Sequence, residues 1–420
     1  MRSLYTALLY LLAPLVILRL VWRGLRVPGY WRRWPERFGA VNPAVGAQVI
    51  WIHAVSVGEV RAVAPVVRAL LDRYQQYSLL VTTVTPTGSA QVAGLFEDHV
   101  AHAYAPWDLP GAVARFLDRV QPRLAIVMET ELWPNLFHAC SDSGIPLLLV
   151  NARLSDRSMS GYLRFRKLIG STLAAATEIL TQGGQDARRF EALGADHRKI
   201  TVSGNLKFEQ QLSPGLPAQA AELRRDWGAE RPVWIAGSTH EGEDELVLDV
   251  FRRIRKQLPD CLLVLVPRHP ERFDAVVALV RQRGYDPVLR STRAACTPDT
   301  GVFVGDSIGE LMLFYAAADV AFVGGSLVHA GGHNLLEPAA AGIPVITGPN
   351  VDNFTEISEL LVSAGACRIV ENTAELETAV LQWLQDPDAR RRAGGQGREV
   401  VVMNRGALET VMMTVEKYLR

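Results

Sequence analysis

Short apolar runs alternate with longer amphipathic stretches from residue 49 onward. In the first half the apolar runs lie at 49–52, 78–84, 124–129, 146–151 and 176–182, and the helical patterns lie at 59–73, 87–95, 110–119, 133–142 and 157–174. Unbroken runs of valine, isoleucine and leucine separated by helices are typical of a parallel sheet that is covered on both faces. The pattern therefore predicts a doubly wound α/β domain.

The same alternation starts again after residues 210–219, where two prolines and a glycine form the clearest linker in the chain. Further apolar runs follow at 232–238, 261–267, 301–306, 319–326, 343–349 and 367–370. We therefore predict two Rossmann-like domains, 23–209 and 220–420, that face each other across a cleft at the carboxyl ends of their strands. The last helical stretch, Ala407 to Arg420, can pack on either domain.

The amino terminus has a different pattern, because Leu4 to Leu18 is apolar and uncharged. A membrane-spanning helix needs about 20 apolar residues, and Arg19 and Arg23 can extend this run by reaching outward. Six arginines lie within 19–37, interleaved with Trp22, Tyr30, Trp31 and Trp34. This combination is typical of the interface with an anionic cytoplasmic leaflet. Residues 1–22 are therefore predicted to be a membrane anchor that spans or inserts, with the rest of the chain in the cytoplasm.

Two other interpretations of this segment are a signal peptide and a buried core helix. A signal peptide needs a cleavage site of small residues, which the sequence after the apolar run does not offer. A buried core helix would leave the flank of arginines and tryptophans unexplained. The membrane anchor is the interpretation that accounts for both parts.

The composition limits the classes of function. Lysine plus arginine equals aspartate plus glutamate at 44 each, so no overall charge favours a nucleic-acid partner. The four cysteines contain no Cys-x-x-Cys pair, which argues against a disulfide framework and against a zinc site. At 420 residues, 49% of them hydrophobic, the chain is long enough for two globular domains.

Several nucleotide-binding motifs are absent from the sequence. The one Gly-x-Gly, Gly395 to Gly397, has Val400 where a dinucleotide fingerprint needs a third glycine, and no P-loop sequence occurs. The one Asp-x-Asp, Asp386 to Asp388, lies between two helical patterns, where we expect it to cap a helix. The sequence thus favours a reaction without a nicotinamide cofactor, a triphosphate cradle or a dedicated metal ion, and we expect no cofactor.

Polar segments follow the predicted strands of the second half. Arg268 and His269 precede a helix that starts near Pro270, an arrangement that suits a phosphate. The alternative is a solvated loop in which the proline only starts the helix. Further on, Ser307 and Glu310 fit a helix-capping box, although two nearby glycines also permit the close approach of a ligand.

The segment 324–349 carries the strongest signal of the second half. Four glycines and two histidines follow a predicted strand, and Asn334 and Glu337 then open a short helix that ends at Gly342. A carboxylate in the first turn of a helix can accept hydrogen bonds from a vicinal diol, and neighbouring N–H groups can receive a phosphate, so a ribose phosphate fits. The alternative is that Glu337 only complements the helix dipole, worth under ~1 kcal/mol.

The corresponding strand ends of the first half carry acids and a few bases. These residues are Glu59, Glu129, Glu131, Arg153, Asp156 and Lys207. Glu59 stands one residue after Gly58, where a strand passes into a helix, so it is either a helix-capping charge or a base. We expect the helix N-terminus to keep Glu59 ionised, as a base requires. One half thus suits a nucleotide, and the other suits hydroxyl groups and a charged acceptor.

The motifs HAVSVGE, ETELWPN, NARLSDRS, SGNLKF, PRHPERF, GDSIGEL and GGHNLLEPAA occur in this order over essentially the whole chain. By these motifs and their order, the sequence resembles the bacterial 3-deoxy-D-manno-oct-2-ulosonic acid (Kdo) transferases of glycosyltransferase family 30, which make lipopolysaccharide. The resemblance implies a GT-B fold, CMP-Kdo as the donor and the lipid A precursor lipid IVA as the acceptor. It also implies the cytoplasmic face of the inner membrane.

The resemblance further implies roles for single residues. Glu59 would be the proton acceptor, and Glu129 and Lys207 would support the transition state. CMP would be held by Pro267, Arg268, Ile308, Gly309, Glu310, Asn334, Leu335, Leu336 and Glu337. Many relatives have proline where Leu335 stands, and the segment 306–309 varies among them, but neither departure removes a charged group.

On this hypothesis the acceptor hydroxyl attacks in line and inverts the anomeric centre. General-base help from Glu59 is typically worth ~10²–10⁴-fold, and Arg268, Lys207 and helix N-termini would offset the charge on departing CMP. Two alternatives stay open from the residues alone. One is a GT-B enzyme that transfers another nucleotide sugar to a membrane lipid, and the other is a membrane-tethered nucleotide-sugar-binding protein without turnover.

Overall fold

The protein forms two compact units in the computed structural model, which describes residues 1–26, 28–41, 46, 48–209 and 212–419. The first unit comprises Met1–Glu209 together with Arg405–Arg420, and the second comprises Gln210–Asn404. In each unit a parallel sheet of seven described strands has helices on both faces. The predicted α/β class of two doubly wound domains is confirmed.

The first unit is built on a Rossmann-type strand order. Its described strands are β1 (Val49–His53), β2 (Ser78–Thr83), β3 (Ala101–Tyr104), β4 (Pro122–Met128), β5 (Leu147–Ala152), β6 (Glu178–Thr181) and β7 (Ile200–Val202). Its described helices before the linker are α1 (Arg2–Arg26), α2 (Val57–Arg73), α3 (Pro86–Phe96), α4 (Pro110–Val120), α5 (Pro134–Asp142), α6 (Asp156–Leu163), α7 (Arg166–Ala175) and α8 (Gly184–Leu193). The order across the sheet is β3-β2-β1-β4-β5-β6-β7, so the chain switches direction between β1 and β4. Ligands of doubly wound sheets bind outside the carboxyl ends of the strands at such a switch point.

Successive residues of a strand point to opposite sides of the sheet, and here helices bury both sides. Ile50 and Ile52 of β1 lie in one apolar core with α2, whereas Trp51 lies in the other with Phe116 of α4. All five residues of β1 are buried. This two-sided burial is why the strands read as continuous apolar runs in the sequence.

The second unit repeats the same strand order. Its described strands are β8 (Val233–Thr239), β9 (Leu262–Pro267), β10 (Val288–Leu289), β11 (Val302–Val304), β12 (Val320–Val323), β13 (Val345–Thr347) and β14 (Cys367–Ile369). Its described helices are α9 (Leu216–Trp227), α10 (Glu243–Gln257), α11 (Phe273–Gln282), α12 (Leu311–Ala317), α13 (Leu336–Ala341), α14 (Thr355–Ser363), α15 (Thr373–Gln385) and α16 (Pro387–Met403). The order β10-β11-β9-β8-β12-β13-β14 places the switch point between β8 and β12.

The final helix, α17 (Ala407–Leu419), belongs to the first unit. Val411 and Val415 lie in the apolar core that also contains residues of β1 and α2. The turn before α17 is held to the same unit, because the N–H of Gly406 donates to a carboxylate oxygen of Glu209 at 2.8 Å. The alternative that the sequence left open is thus resolved in favour of the amino-terminal domain.

Helix α1 has no buried residue in its most apolar stretch and is, among the described residues, the one helix long and apolar enough to cross a membrane. It is therefore not a buried core helix. Near its start the Tyr5 hydroxyl donates to Asp108 at 2.9 Å, and the Thr6 hydroxyl donates to Asn135 at 3.0 Å. Near its end the Val21 carbonyl accepts a hydrogen bond from the Trp31 indole at 3.1 Å. Both ends of α1 therefore contact the first unit.

Three differences from the sequence prediction concern short or polar elements. The strands β3, β7 and β10 were not predicted, and each has only two to four residues. The predicted helix 157–174 is divided into α6 and α7 at Arg164 and Phe165. In the expected linker 210–219, residues 216–219 already belong to α9, while Gln210 and Gln211 lie outside the described residues.

Candidate active site

Glu59 lies in the first turn of α2, directly after β1. The Ser56 side chain accepts the N–H of Glu59 at 3.3 Å, and Glu59 Oε2 in turn accepts the N–H of Ser56 at 2.6 Å. This reciprocal pair is a capping box. No donor among the described residues bonds to Oε1 of Glu59, so the capping role uses only one of its two carboxylate oxygens.

Two further carboxylates lie close to Glu59, because β4 is the neighbour of β1 at the switch point. Glu129 follows β4 in a left-handed conformation with φ 52°, and its N–H donates to the Val150 carbonyl at 2.9 Å. Glu131 Oε2 accepts the indole N–H of Trp133 at 2.8 Å. The side chain of Glu59 is only 5% exposed. Three acids thus lie close together at the carboxyl edge of the sheet.

This crowding changes the protonation of Glu59. Its pKa is raised to about 7, chiefly by burial and then by the charges of Glu131 and Glu129, against the lowering effect of the Ser56 hydrogen bonds. Burial also raises the pKa of Glu131. The expectation that the helix N-terminus keeps Glu59 ionised is therefore wrong near neutral pH, because the Ser56 hydrogen bonds do not offset burial beside two acids. A base with a pKa near the working pH is well suited to proton transfer.

Basic side chains approach the same edge of the sheet. Arg153, which follows β5, donates from Nε to Glu129 at 3.1 Å. Lys207 lies on the short 3₁₀ turn Leu206–Phe208, whose Leu206 packs in the core beside α2 and donates its N–H to the Asn151 side chain at 3.0 Å. The site therefore includes Arg153, whose partner role was not predicted.

Asp156, which the sequence placed among the acids of this edge, has a different partner. It forms an ion pair with Arg189 at 2.5 Å, and its side chain is largely exposed. Its position at the first residue of α6 also accounts for its charge, since acids are favoured in the first turn of a helix. Asp156 is thus a surface residue of the first unit.

In the second unit the carboxyl end of β8 is organised by Glu243, which the sequence analysis missed. Its fully buried carboxylate accepts four backbone N–H groups, one from the residue after β8 and three from the turn after β12. The donors are those of His240 at 3.0 Å, Gly325 at 2.6 Å, Ser326 at 3.0 Å and Leu327 at 2.9 Å. Glu243 therefore joins the two segments at the switch point into one rigid structure.

The predicted phosphate segment lies next to this structure. Pro267 ends β9, and the N–H of Arg268 donates to the Thr239 carbonyl at 3.0 Å. Arg272 also donates to this carbonyl, at 2.8 Å, and forms an ion pair with the buried carboxylate of Asp244. Arg268 is thus fixed at the end of β8 by its own backbone.

The segment around residue 309 differs from the capping box that the sequence suggested. Helix α12 begins only at Leu311, and Glu310 makes no side-chain cap. Instead, Arg290 donates to both carboxylate oxygens of Glu310, with a shortest distance of 2.6 Å, and this pairing lowers the pKa of Glu310. Ile308 is 79% exposed, and Gly309 has φ 86° with open space where a side chain would be. This segment offers exposed backbone to a ligand.

The turn before α13 has the form that the sequence predicted. The Asn334 side chain accepts the N–H of Leu336 at 3.1 Å and donates to Glu337 at 3.1 Å, and the helix ends at Gly342. The side chains of Leu335 and Leu336 are fully buried, so these two residues offer a ligand only their backbone. Glu337 is the charged group of this turn.

The remaining acidic motif has a structural role. Asp386 accepts the N–H groups of Asp388 and Ala389 at 3.1 and 2.9 Å and thereby caps α16, which confirms the capping prediction. Across the described parts of the chain, no group of three or more His, Cys, Asp or Glu side chains is arranged to hold a metal ion.

The sequence is similar to two protein families and to enzymes of known name. Residues 32–210 match the family described as 3-deoxy-D-manno-octulosonic-acid transferase (kdotransferase), and residues 239–400 match the family described as glycosyl transferases group 1. The chain is 43% identical over 421 residues to the 3-deoxy-D-manno-octulosonic acid transferase of Haemophilus influenzae, covering 100% of this chain and 99% of that relative. It is 36% identical over 433 residues to the enzyme of the same name from Bordetella pertussis, with the same coverage of 100% and 99%.

The fold is also similar to that of solved nucleotide-sugar enzymes. The UDP-GlcNAc 2-epimerase from Neisseria meningitidis, bound to UDP-GlcNAc, matches with a TM-score of 0.59 and 14% identity over 88% of this chain and 100% of that chain. At this identity the likeness concerns the fold alone. Together with the two parallel seven-stranded sheets among the described residues, it confirms the GT-B fold class.

Proposed function

Since this chain belongs to the Kdo transferase family of glycosyltransferases, we propose that it transfers Kdo from CMP-Kdo to the lipid A precursor lipid IVA. The transfer inverts the anomeric centre and uses Glu59 as the general base. The observation that carries this proposal is the position of Glu59 at the switch point of the first unit, buried, with a pKa of about 7 and one carboxylate oxygen outside the capping box.

The base step follows from this geometry. The acceptor sugar's hydroxyl gives its proton to Glu59 while its oxygen attacks the anomeric carbon of Kdo. Proton transfer of this kind typically contributes ~10²–10⁴-fold. Glu129, which accepts a hydrogen bond from Arg153, raises the pKa of Glu59 and so favours the protonated product of the step. Lys207, on the turn beside α2, supplies positive charge to the transition state in this proposal.

The donor side is supported by the second unit. Glu337 in the first turn of α13 suits the ribose hydroxyls, and the exposed backbone at Ile308 and Gly309 suits the base. Arg268, fixed at the end of β8, suits the phosphate. These groups can stabilise the charge that develops on departing CMP, so the proposed reaction does not depend on a metal ion.

The proposed location is the cytoplasmic face of the inner membrane. Helix α1 supplies an exposed apolar surface, and the arginines between residues 19 and 37 suit an anionic leaflet. Because Tyr5, near the start of α1, bonds to Asp108 of the same unit, the helix inserts along the membrane surface in this proposal instead of crossing it. An acceptor in the same leaflet then meets the enzyme more often.

The test of this proposal is an assay of product mass with purified Glu59→Gln protein. Lipid IVA and CMP-Kdo are the substrates, and Glu191→Gln, an exposed glutamate of α8, is the matched control. Wild type and control should form the Kdo-lipid IVA product, whereas Glu59→Gln should bind CMP normally and lose about 10²-fold or more of its turnover. Near-normal kcat in Glu59→Gln would remove Glu59 as the base.

The donor is tested separately by thermal protection. CMP should raise the melting temperature of the wild-type protein, and UDP should not. Protection by UDP alone would instead favour another nucleotide sugar, and protection without any product would favour a binding protein without turnover.

A further inference from the structure

Two histidines meet at the switch point of the second unit, outside every role assigned so far. His240 is the first residue after β8, and His333 lies in the turn after β12. Their Nε2 atoms are 2.8 Å apart, and their ring planes are within 11° of parallel. At that distance one Nε2 must carry a hydrogen while the other accepts it. The two imidazoles therefore hold a proton between them.

The backbone is shaped to bring these rings together. Gly325 has φ 70°, and a side chain there would lie 2.9 Å from the His333 ring and 3.4 Å from the His240 ring. The N–H of Gly332 donates to the Gly325 carbonyl at 2.8 Å and closes the turn. His240 is held from the other side by its N–H bond to Glu243. The pair is thus a built feature of the turn.

The surroundings of the pair are cationic. Burial is the largest cause that lowers the pKa of His240; Glu243 raises it, and His269, Arg272 and Arg268, which all follow β9, lower it further. The His269 ring lies 5.4 Å from the His240 ring. Two acids lie near His240 among the described residues. Glu243 faces His240 but is enclosed by four N–H groups, and Asp244 is bonded to Thr239 and Arg272. A pair that offers an N–H donor beside two arginines suits an anion.

We propose that the His240–His333 pair binds the phosphate of the nucleotide and takes up a second proton when the sugar leaves. This inference rests on the proposed donor. In the donor the phosphate is a diester with one negative charge. As the bond between the anomeric carbon and the phosphate oxygen breaks, its electron pair stays on that oxygen, and the product is a monoester. A phosphate monoester carries up to two negative charges, with a second pKa of about 6. A proton from solvent then lets both imidazoles donate to it.

The switch point is where this phosphate is expected, because it is the ligand crevice of a doubly wound sheet. The binding of the proton and the binding of CMP are thermodynamically linked. If bound CMP raises the affinity of the histidine pair for a proton, a bound proton raises the affinity of the pair for CMP by the same factor. Cytidine, which lacks the phosphate, should show no such coupling. The sugar carboxylate of the donor is the other anion that such a site can hold, and free CMP lacks it.

The experiment measures CMP and cytidine binding by calorimetry between pH 6.5 and 8.5, in two buffers of different ionisation enthalpy. His240→Asn and His333→Gln are the test variants, and His329→Gln is the control, since His329 lies in the same turn but contacts Asn350. Wild type and control should take up about one proton per CMP, and the CMP affinity should fall as the pH rises. The test variants should lose this uptake and about tenfold or more of CMP affinity, with cytidine unchanged.

Several results would overturn the inference. If the CMP affinity of the wild-type protein does not vary with pH, the inference is overturned, even if both variants fail to fold. Variants that keep CMP affinity but show a raised KM for CMP-Kdo would also overturn it, because the pair would then contact the sugar carboxylate. Failure of the wild-type protein to bind CMP at all would instead count against the proposed donor.

Discussion

Replacing Glu59 with glutamine should stabilise the protein at alkaline pH while it removes the proposed base. Folding raises the pKa of Glu59 from an ordinary value of 4.5 to about 7. Since one pKa unit corresponds to about 1.4 kcal/mol, the ionised side chain destabilises the fold by about 3 kcal/mol. Glutamine keeps an oxygen that can accept the Ser56 N–H, so the cap survives the change.

The sign of the effect depends on pH. The folded chain holds a proton on Glu59 that the unfolded chain releases at lower pH, so wild-type stability falls as the pH rises from 4.5 to about 7. Below this window the carboxyl is neutral in both states and contributes no penalty. Glu59→Gln should therefore resemble the wild type at pH 4.5 and exceed it at pH 8.

The assay is thermal unfolding at pH 4.5 and pH 8, followed by a signal from the first unit. A gain of about 3 kcal/mol corresponds to a rise in Tm of about 6–12 °C for a unit of this size. Glu191→Gln, the exposed control, should leave Tm unchanged at both pH values. The same Tm difference between Glu59→Gln and wild type at both pH values, or a lower Tm at pH 8, would refute the reasoning from burial and neighbouring charge.

Three further predictions follow from other contacts. In a plot of kcat/KM against pH, the acid limb should lie near pH 7. Glu131→Gln should move this limb to lower pH, because the Glu131 charge raises the pKa of Glu59. A limb that does not move would contradict this. Arg268→Ala should weaken CMP binding by about 10–100-fold, and unchanged affinity would remove Arg268 from the phosphate site. A cysteine in place of Ser3 should react with a membrane-impermeant reagent from the side of the catalytic unit, since Tyr5 bonds to Asp108; reaction only from the opposite side would show that α1 crosses the membrane.

The sequence predicted the long buried strands but not the short ones. Strands such as β1 and β9 are buried on both faces and therefore consist almost entirely of apolar residues. Strand β3 reads Ala-His-Ala-Tyr, and β10 has only two residues, so neither has a period that distinguishes it from a loop. Their place in the sheet comes from pairing with β2 and β11, which no local pattern contains.

The family resemblance seen in the motifs is confirmed by the comparisons. The pKa of Glu59 and the role of Glu243 could not be predicted from the sequence. The position of Glu59 after β1 follows from a local strand-to-helix pattern. Its pKa depends on Glu129 and Glu131, which the strand order brings beside it from β4. Glu243 was missed for the same reason, because three of its four donors come from the turn after β12.

The same hydrogen bond from backbone to glutamate occurs in both units, but the two glutamates differ in their other partners. In each, a glutamate accepts the N–H of the residue three positions earlier, just after the central strand: Glu59 from Ser56, and Glu243 from His240. Glu243 gains three more N–H donors from the adjacent turn, so both of its carboxylate oxygens are hydrogen-bonded to backbone and its role is structural. Glu59 gains none among the described residues and has two acids beside it instead, so its proton is exchangeable near neutral pH. The number of backbone donors that reach each carboxylate, more than the fold they share, therefore distinguishes Glu59, the proposed base, from Glu243.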